Sequence, residues 1–317
     1  MNVYQKILKR DGKIYALAPM EGVTDSVFRQ ILCDIGKPDL FFTEFMNTDG
    51  YMSKGRDKVS DRLRFVERER PIVFQLWGNT PENYAAAVKD IKRFKPDGVD
   101  INIGCSVRNV LSSGHCSSLI KDPELVKRII DAVKSEAGNI PVSVKTRIGY
   151  DSIITNEWFS FLLEQNLDLI TVHGRISKQG YDEPANWEEV SKVVKLRDAL
   201  SPSTVILGNG DVDGLDMADS FMLEYGVDGV MLGRAVMQNP WLFSRRLIIG
   251  KKERLSALEE HLELFKSTWG GDRPFNTQKK YIKMYLNGFD GANELRIKLM
   301  KCDNLDEVLG IIKTLLS

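Results

Sequence analysis

The sequence predicts an α/β fold: a TIM (β/α)8 barrel followed by a smaller, all-helical C-terminal domain. Three observations predict it. Short apolar, β-branched runs recur eight times over residues 15–233. Amphipathic stretches separate them. The chemically distinctive residues fall just after the runs, and a barrel gathers those strand ends on one rim, where sites are built.

In chain order the runs are 15–19, 40–44, 72–77, 99–103, 142–146, 169–173, 205–209 and 229–233. Continuous apolar character without alternation suits strands covered on both faces, as in a parallel sheet. Helices are predicted over 24–35, 81–94, 123–136, 156–165, 187–196 and 215–224. Asp122 before Pro123 reads as an N-cap with proline at the first helical position, and Thr80 before Pro81 reads the same way. From about Phe243 onward only helical patterns remain, over 255–269, 277–287, 292–301 and 304–316. The chain is therefore divided into a barrel domain, 1–243, and a helical domain, 244–317. No internal repeat beyond the βα period is visible.

Hydrophobic residues make up 43% of the 317, enough for a sizeable core and against disorder. Acids and bases balance at 44 each, so the overall charge does not advertise a nucleic-acid partner. A polyanion would have to be held locally, and residues 244–317 carry 14 Lys and Arg against 10 Asp and Glu. The basic residues Arg245, Arg246, Lys251, Lys252, Lys279, Lys280 and Lys283 are the candidates. Cys33, Cys105, Cys116 and Cys302 form no CxxC pair and there are three histidines, so no metal site is expected. Scattered thiols, no apolar leader and no run near the ~18–20 residues of a membrane span read as a soluble protein of a reducing cytoplasm.

The rim residues carry the chemistry. The first run ends Ala18-Pro19-Met20-Glu21-Gly22, where Pro and Gly let backbone lie close to a flat ligand and Met adds a soft contact. The third ends at Gln75, whose amide suits an amide-like ring edge. The fourth ends Asp100-Ile101-Asn102-Ile103-Gly104-Cys105, the fifth Lys145-Thr146-Arg147 and the sixth His173-Gly174-Arg175. Asn209-Gly210-Asp211 and Gly233-Arg234 follow the last two runs, where barrels commonly hold a phosphate. A phosphate site plus flat-ring contacts points to a mononucleotide, with FMN the economical choice. Lys145 would face the negative edge of the reduced ring. No GxGxxG motif follows a run and opens a helix, so a Rossmann site is unsupported.

Cys105 follows a predicted strand directly and precedes a Gly- and Ser-rich loop, the position of a proton donor or nucleophile. Cys116, in the same loop, is its rival; Cys33 and Cys302 read as structural. His115 adjoins Cys116, but sequence neighbours rarely face each other, so a thiol–imidazole dyad is not expected.

At these residues the sequence resembles the tRNA-dihydrouridine synthases. The resemblance rests on the 18–25 segment, Asp100-Ile101-Asn102-Ile103-Gly104-Cys105, the 143–149 segment, Thr171-Val172-His173-Gly174-Arg175 with Gln179-Gly180-Tyr181, Asn209-Gly210-Asp211 and Gly233-Arg234. It covers about residues 15–243 and runs more weakly into 285–296. It implies an FMN-bearing barrel, a helical domain that helps hold tRNA, NADPH as reductant and a monomer. It implies hydride transfer from flavin N5 to uracil C6, with Cys105 protonating C5. Pro19, Met20, Glu21, Gln75, Lys145, His173, Asn209, Gly210, Asp211, Gly233 and Arg234 match flavin-binding positions, Asn102 a uracil contact, and Arg175 a substrate or phosphate contact. Ser106 stands where the family has proline, and His115, Cys116 and Ser117 where it has Gly and Ala, which questions the rigidity of the loop. The competing readings are an FMN barrel acting on a small dihydropyrimidine or enone, and a non-catalytic tRNA-binding protein.

Overall fold

The computed structural model describes residues 1–180 and 183–317. Its parallel sheet contains β1 (Ile14–Leu17), β2 (Phe41–Phe42), β3 (Met46–Asn47), β4 (Ile72–Trp77), β5 (Gly98–Ile103), β6 (Val142–Arg147), β7 (Leu169–His173), β8 (Val205–Asn209) and β9 (Gly229–Leu232). The order is β1-β9-β8-β7-β6-β5-β4-β2, with β3 also paired to β4. β2 and β3 are successive pieces of one barrel position, since Phe41 lies opposite Ile72 and Met46 opposite Leu76. The seam between β1 and β2 is closed by the Ala16–Leu40 bridge and by the Leu17 amide on the Leu40 carbonyl at 3.1 Å. The expected eightfold barrel is therefore present, its second position broken between residues 42 and 46.

A repeated aspartate sets the register. Asp39, Asp97, Asp168 and Asp228 each stand at the entry to a strand. Each carboxylate accepts an amide near the start of a neighbouring strand: Tyr15 at 2.8 Å, Ile72 at 2.9 Å, Val142 at 2.8 Å and Ile206 at 2.7 Å. A one-residue slip would break these bonds and turn every side chain to the other face.

Helices Pro81–Ile91, Pro123–Ala137, Thr155–Glu164, Trp187–Leu200 and Leu215–Tyr225 fall where the periodicity predicts. Asp122 caps as expected, accepting the Leu125 amide at 3.0 Å. Thr80 does not: its side chain makes no capping bond, and its hydroxyl turns instead to Asn79 at 3.4 Å. The sequence reading missed the first helix, Val3–Asp11, whose Asn2 cap accepts the Gln5 amide at 2.9 Å. Tyr4 and Ile7 of that helix share a buried cluster with Leu40, Val73, Leu169 and Val205, residues at or near strand starts. This helix plugs the N-terminal end of the barrel and leaves the opposite end for chemistry.

The chain forms two compact units, Met1–Glu21 with Asp39–Gly233, and Gly22–Pro38 with Arg234–Ser317. The expected division after residue 243 did not give the segment 22–38 to the second unit. The cause is packing: Val27, in helix Ser26–Ile35, buries against Phe265 and Trp269 of helix Lys251–Trp269. Among the described residues no helix is long and apolar enough to cross a membrane.

Gly208, near the end of β8, lies against the Trp187 indole, where a Cβ would collide with the ring. Trp187 is itself fixed, donating from Nε1 to the Gly210 carbonyl at 2.9 Å. Gly208→Ala is expected to cost about 1–3 kcal/mol of stability, read as a lower urea midpoint with an unchanged slope. An unchanged midpoint would show that Trp187 swings aside freely.

Candidate active site

Side chains alternate along a strand, and at β5 and β6 the alternate set is polar: Asp100 and Asn102, then Ser143, Lys145 and Arg147. The parallel register pairs Asp100 with Ser143 and Asn102 with Lys145. Asp100 is fully buried and accepts from Gln75 Nε2 at 2.7 Å and Ser143 Oγ at 2.6 Å. Gln75 Oε1 in turn accepts from Asn102 Nδ2 at 2.9 Å. Asn102 Oδ1 accepts the amides of both Gly104 and Cys105 at 3.0 Å. A chain of hydrogen bonds thus runs from the barrel interior to the backbone of Cys105.

That backbone is fixed from other sides as well. The Cys105 carbonyl accepts from Ser117 Oγ at 2.7 Å and from the Ser117 amide at 3.3 Å. Arg147 donates from Nε to the Gly104 carbonyl at 2.7 Å, from Nη1 to the Ile176 carbonyl at 3.1 Å and from Nη2 to Ser106 Oγ at 3.1 Å. Ser106 therefore hands to a charged hydrogen bond the restraint that a proline would have given through its ring. The rigidity questioned at the sequence level is supplied by Arg147 and Ser117.

The electrostatics single out Cys105. A hydrogen bond from the Cys116 thiol pulls its pKa down to about 6 against the opposing effect of burial, helped by the Val107 amide, Arg147 and Lys145. The same contact and burial push the Cys116 thiol well up. Cys105 is the partly exposed member of the pair and Cys116 the buried one, so Cys105 ionises first. Burial, with Arg147 adding, lowers Lys145 to about 8, opposed by Asp100 and Cys105. Burial raises Asp100 to about 6, held back by Ser143, Gln75 and Lys145.

Farther round the rim, Lys145 Nζ donates to Asn209 Oδ1 at 3.2 Å, and Asn209 Nδ2 to the Met231 carbonyl at 2.8 Å. Arg175, 1% exposed, donates to His173 Nε2 at 3.3 Å and to the Glu183 carbonyl at 2.8 Å, and forms an ion pair with Asp211. Gly210 adopts φ 122°, and a Cβ there would press on Ala185 and the His173 ring. Pro19 and Met20 are half-buried. Exposed Glu21 pairs with Arg62 at 2.7 Å. Gly233 ends the barrel unit; Arg234 is exposed and is grouped with the second unit. Tyr181 lies outside the described residues.

A sequence model of the dihydrouridine synthase (Dus) family matches residues 16–316. The chain belongs to the dihydrouridine synthase family. It is 39% identical over 302 residues to a probable tRNA-dihydrouridine synthase 2 of Bacillus subtilis (strain 168), covering 94% of this chain and 92% of that one. It is 37% identical over 306 residues to a probable tRNA-dihydrouridine synthase of Staphylococcus aureus (strain COL), with the same coverage. The barrel resembles two solved structures at low identity, a likeness of fold alone. A 2-naphthoyl-CoA reductase gives a TM-score of 0.55 at 10% identity, over 73% of this chain and 49% of that one. DHODH from Eimeria tenella gives 0.51 at 16%, over 80% and 82%.

In this dihydrouridine synthase the barrel unit brings together Gln75, Asn102, Cys105, Lys145, His173, Arg175, Asn209, Gly210 and Asp211 through the contacts above. Gln75 and Asn102 each have both ends of the amide engaged by the protein, which gives them a positioning part beside any ligand contact. The sequence reading named Asp100, Arg147 and Ser117 but gave no role to these residues, which hold the others. The alternation of polar residues in Asp100-Ile101-Asn102 and Ser143-Val144-Lys145-Thr146-Arg147 was the available signal. His115 does not face Cys116: its ring meets Ser113 Oγ at 2.8 Å and Asp49 at 3.2 Å. In the second unit Arg246 is paired with Glu253 and Lys280 bonds to the Gly22 carbonyl. A groove of about 440 Å³ there is lined by Lys283, Arg296 and Lys301 with Asn293, Ile297 and Met300. Of these cations only Lys283 was among the basic candidates.

Iodoacetamide should alkylate Cys105 with a midpoint near pH 6. Because the Cys116 thiol donates to the thiolate form, Cys116→Ala should move that midpoint upward, toward the ordinary ~8.5 of a free cysteine. A midpoint unmoved by Cys116→Ala would leave the Val107 amide, Arg147 and Lys145 as the cause.

Proposed function

We propose that this synthase reduces the C5=C6 bond of selected uridines in tRNA, with FMN as cofactor and NADPH as reductant, as a cytoplasmic monomer. The observation that carries the reading is a partly exposed thiol at the barrel rim whose backbone amide and carbonyl are both tied down. A donor held this way is pre-oriented toward one atom of a bound base.

The rim residues fit a flavin. At Gly233 an added Cβ would meet only ordinary contacts, the Ala18 Cβ at 3.5 Å and the Met20 sulfur at 3.9 Å. The protein's own packing therefore does not demand glycine there, and the free space suits the close approach of a ligand. Pro19 and Met20 would line the ring, with Glu21 beside them. Gln75, Asn209 and His173 would meet its polar edge. Gly210, Asp211 and Gly233 would hold the phosphate. When bound and reduced, the flavin supplies the hydride.

Lys145 then places a positive charge where negative charge collects. Asn102 has one amide hydrogen left beyond its bond to Gln75, which it offers to the uracil edge, and Arg175 orients the substrate or the phosphate. In its protonated form Cys105 Sγ gives its proton to C5. The thiolate left behind is stabilised by the Cys116 thiol, the Val107 amide, Arg147 and Lys145. The uridine must leave its stack to reach this thiol. The basic groove of Lys283, Arg296 and Lys301 supports a tRNA partner, with binding that weakens as salt rises.

Cys105→Ala should keep its yellow flavin and lose at least about 100-fold in tRNA reduction, the scale of a lost general acid. Turnover of free uridine or dihydroorotate with none on unmodified tRNA would overturn the tRNA reading. Lys145→Met should bind flavin more weakly while melting at pH 7 no lower than the parent protein, because it removes a charge that the fold holds at a cost. Undiminished flavin retention would remove Lys145 from the cofactor site.

A further inference from the structure

We propose that Cys105 and Cys116 form a peroxide-driven disulfide that reversibly takes the proton donor out of service. The two cysteines are held close together in one loop at the barrel rim, one partly exposed and one buried. The Cys116 thiol lies near enough to Cys105 to be the main cause of its lowered pKa. Ser117, the neighbour of Cys116, is bonded through both its amide and its hydroxyl to the carbonyl of Cys105, so the two backbones are tied together beside the sulfurs. Cys116 is fully buried, while Cys105 is partly exposed. A small oxidant therefore meets Cys105 first.

The chemistry balances in two steps. Cys105 thiolate attacks hydrogen peroxide: an S–O bond forms, the O–O bond breaks, and with one proton the products are a sulfenic acid and water. The Cys116 sulfur then attacks the Cys105 sulfur: the S–S bond forms, the S–O bond breaks, and the Cys116 proton leaves with the hydroxyl as a second water. Sulfur loses two electrons and peroxide gains them. The first step favours the second, because two of the three influences that keep Cys116 protonated are the hydrogen bond and the charge of the Cys105 thiolate. Both vanish once that sulfur is a neutral sulfenic acid. The disulfide spares Cys105 from the irreversible sulfinic state. Its effect on turnover rests on the proposed function; its formation does not.

The test treats the full-length, flavin-loaded protein with a small excess of hydrogen peroxide and reads intact mass, free thiols and peptide maps. The expected result is loss of two of the four free thiols and a cross-linked peptide pair joining Cys105 to Cys116, with both changes reversed by dithiothreitol. In Cys116→Ser, dimedone should label Cys105, and continued exposure should carry it on to the sulfinic acid. If the parent protein instead accumulates Cys105 sulfinic acid, or is oxidised at Cys33 or Cys302 with no Cys105–Cys116 link, the proposal is wrong. These readouts stand even where tRNA reduction cannot be detected, so failure of the switch and failure of the functional reading are told apart.

Discussion

The hydrogen bonds from the amides of Gly104 and Cys105 to Asn102 Oδ1 hold the thiol where it is, and the rest of the site is arranged around them. A side-chain amide could rotate and drop these bonds. Asn102 cannot rotate freely, because its nitrogen is bonded to Gln75, and Gln75 is bonded to Asp100. Asp100 accepts from two strands at once in a fully buried position. Each member removes the freedom of the next, and a buried polar chain of this kind rigidifies only when every partner is present.

That chain ends on a costly pair of charges. With its folded pKa raised, Asp100 favours the fold most at pH below the usual carboxylate range and loses that contribution as pH rises through about 6. With its folded pKa lowered, Lys145 favours the fold most above the usual lysine range and loses that contribution as pH falls through about 8. Between those values both groups are ionised and both cost stability. They lie on adjacent strands and each eases the other: Lys145 holds the pKa of Asp100 down, and Asp100 holds that of Lys145 up. Stability given up at a site in return for a preset charge is the usual compromise between folding and activity.

Much of this was legible in the sequence, and the rest was hidden for physical reasons. The strands were visible because runs such as 72–77 and 169–173 are apolar and β-branched, and the rim was visible because polar residues follow them. Thr80 misled because a capping residue type before proline does not fix its own rotamer. The helix Val3–Asp11 escaped notice because Lys6, Lys9 and Arg10 dilute the face that carries Tyr4 and Ile7. Arg147 and Ser117 could not be assigned, since their meaning lies in contacts across 43 and 12 residues of chain. The segment 22–38 was counted with the barrel because linear order says nothing of Val27 meeting Phe265 and Trp269.

The four aspartates at the strand entries sit at the plugged floor of the barrel, away from the thiol. They lock the alignment of neighbouring strands from below, at the end opposite the rim. The upper ends are thereby released from the task of setting the sheet, and can carry lysine, arginine and amides where most sheets would need apolar ballast. A floor that keeps alignment by itself lets the loops above be rewritten one at a time, which gives a route by which one scaffold comes to serve different substrates.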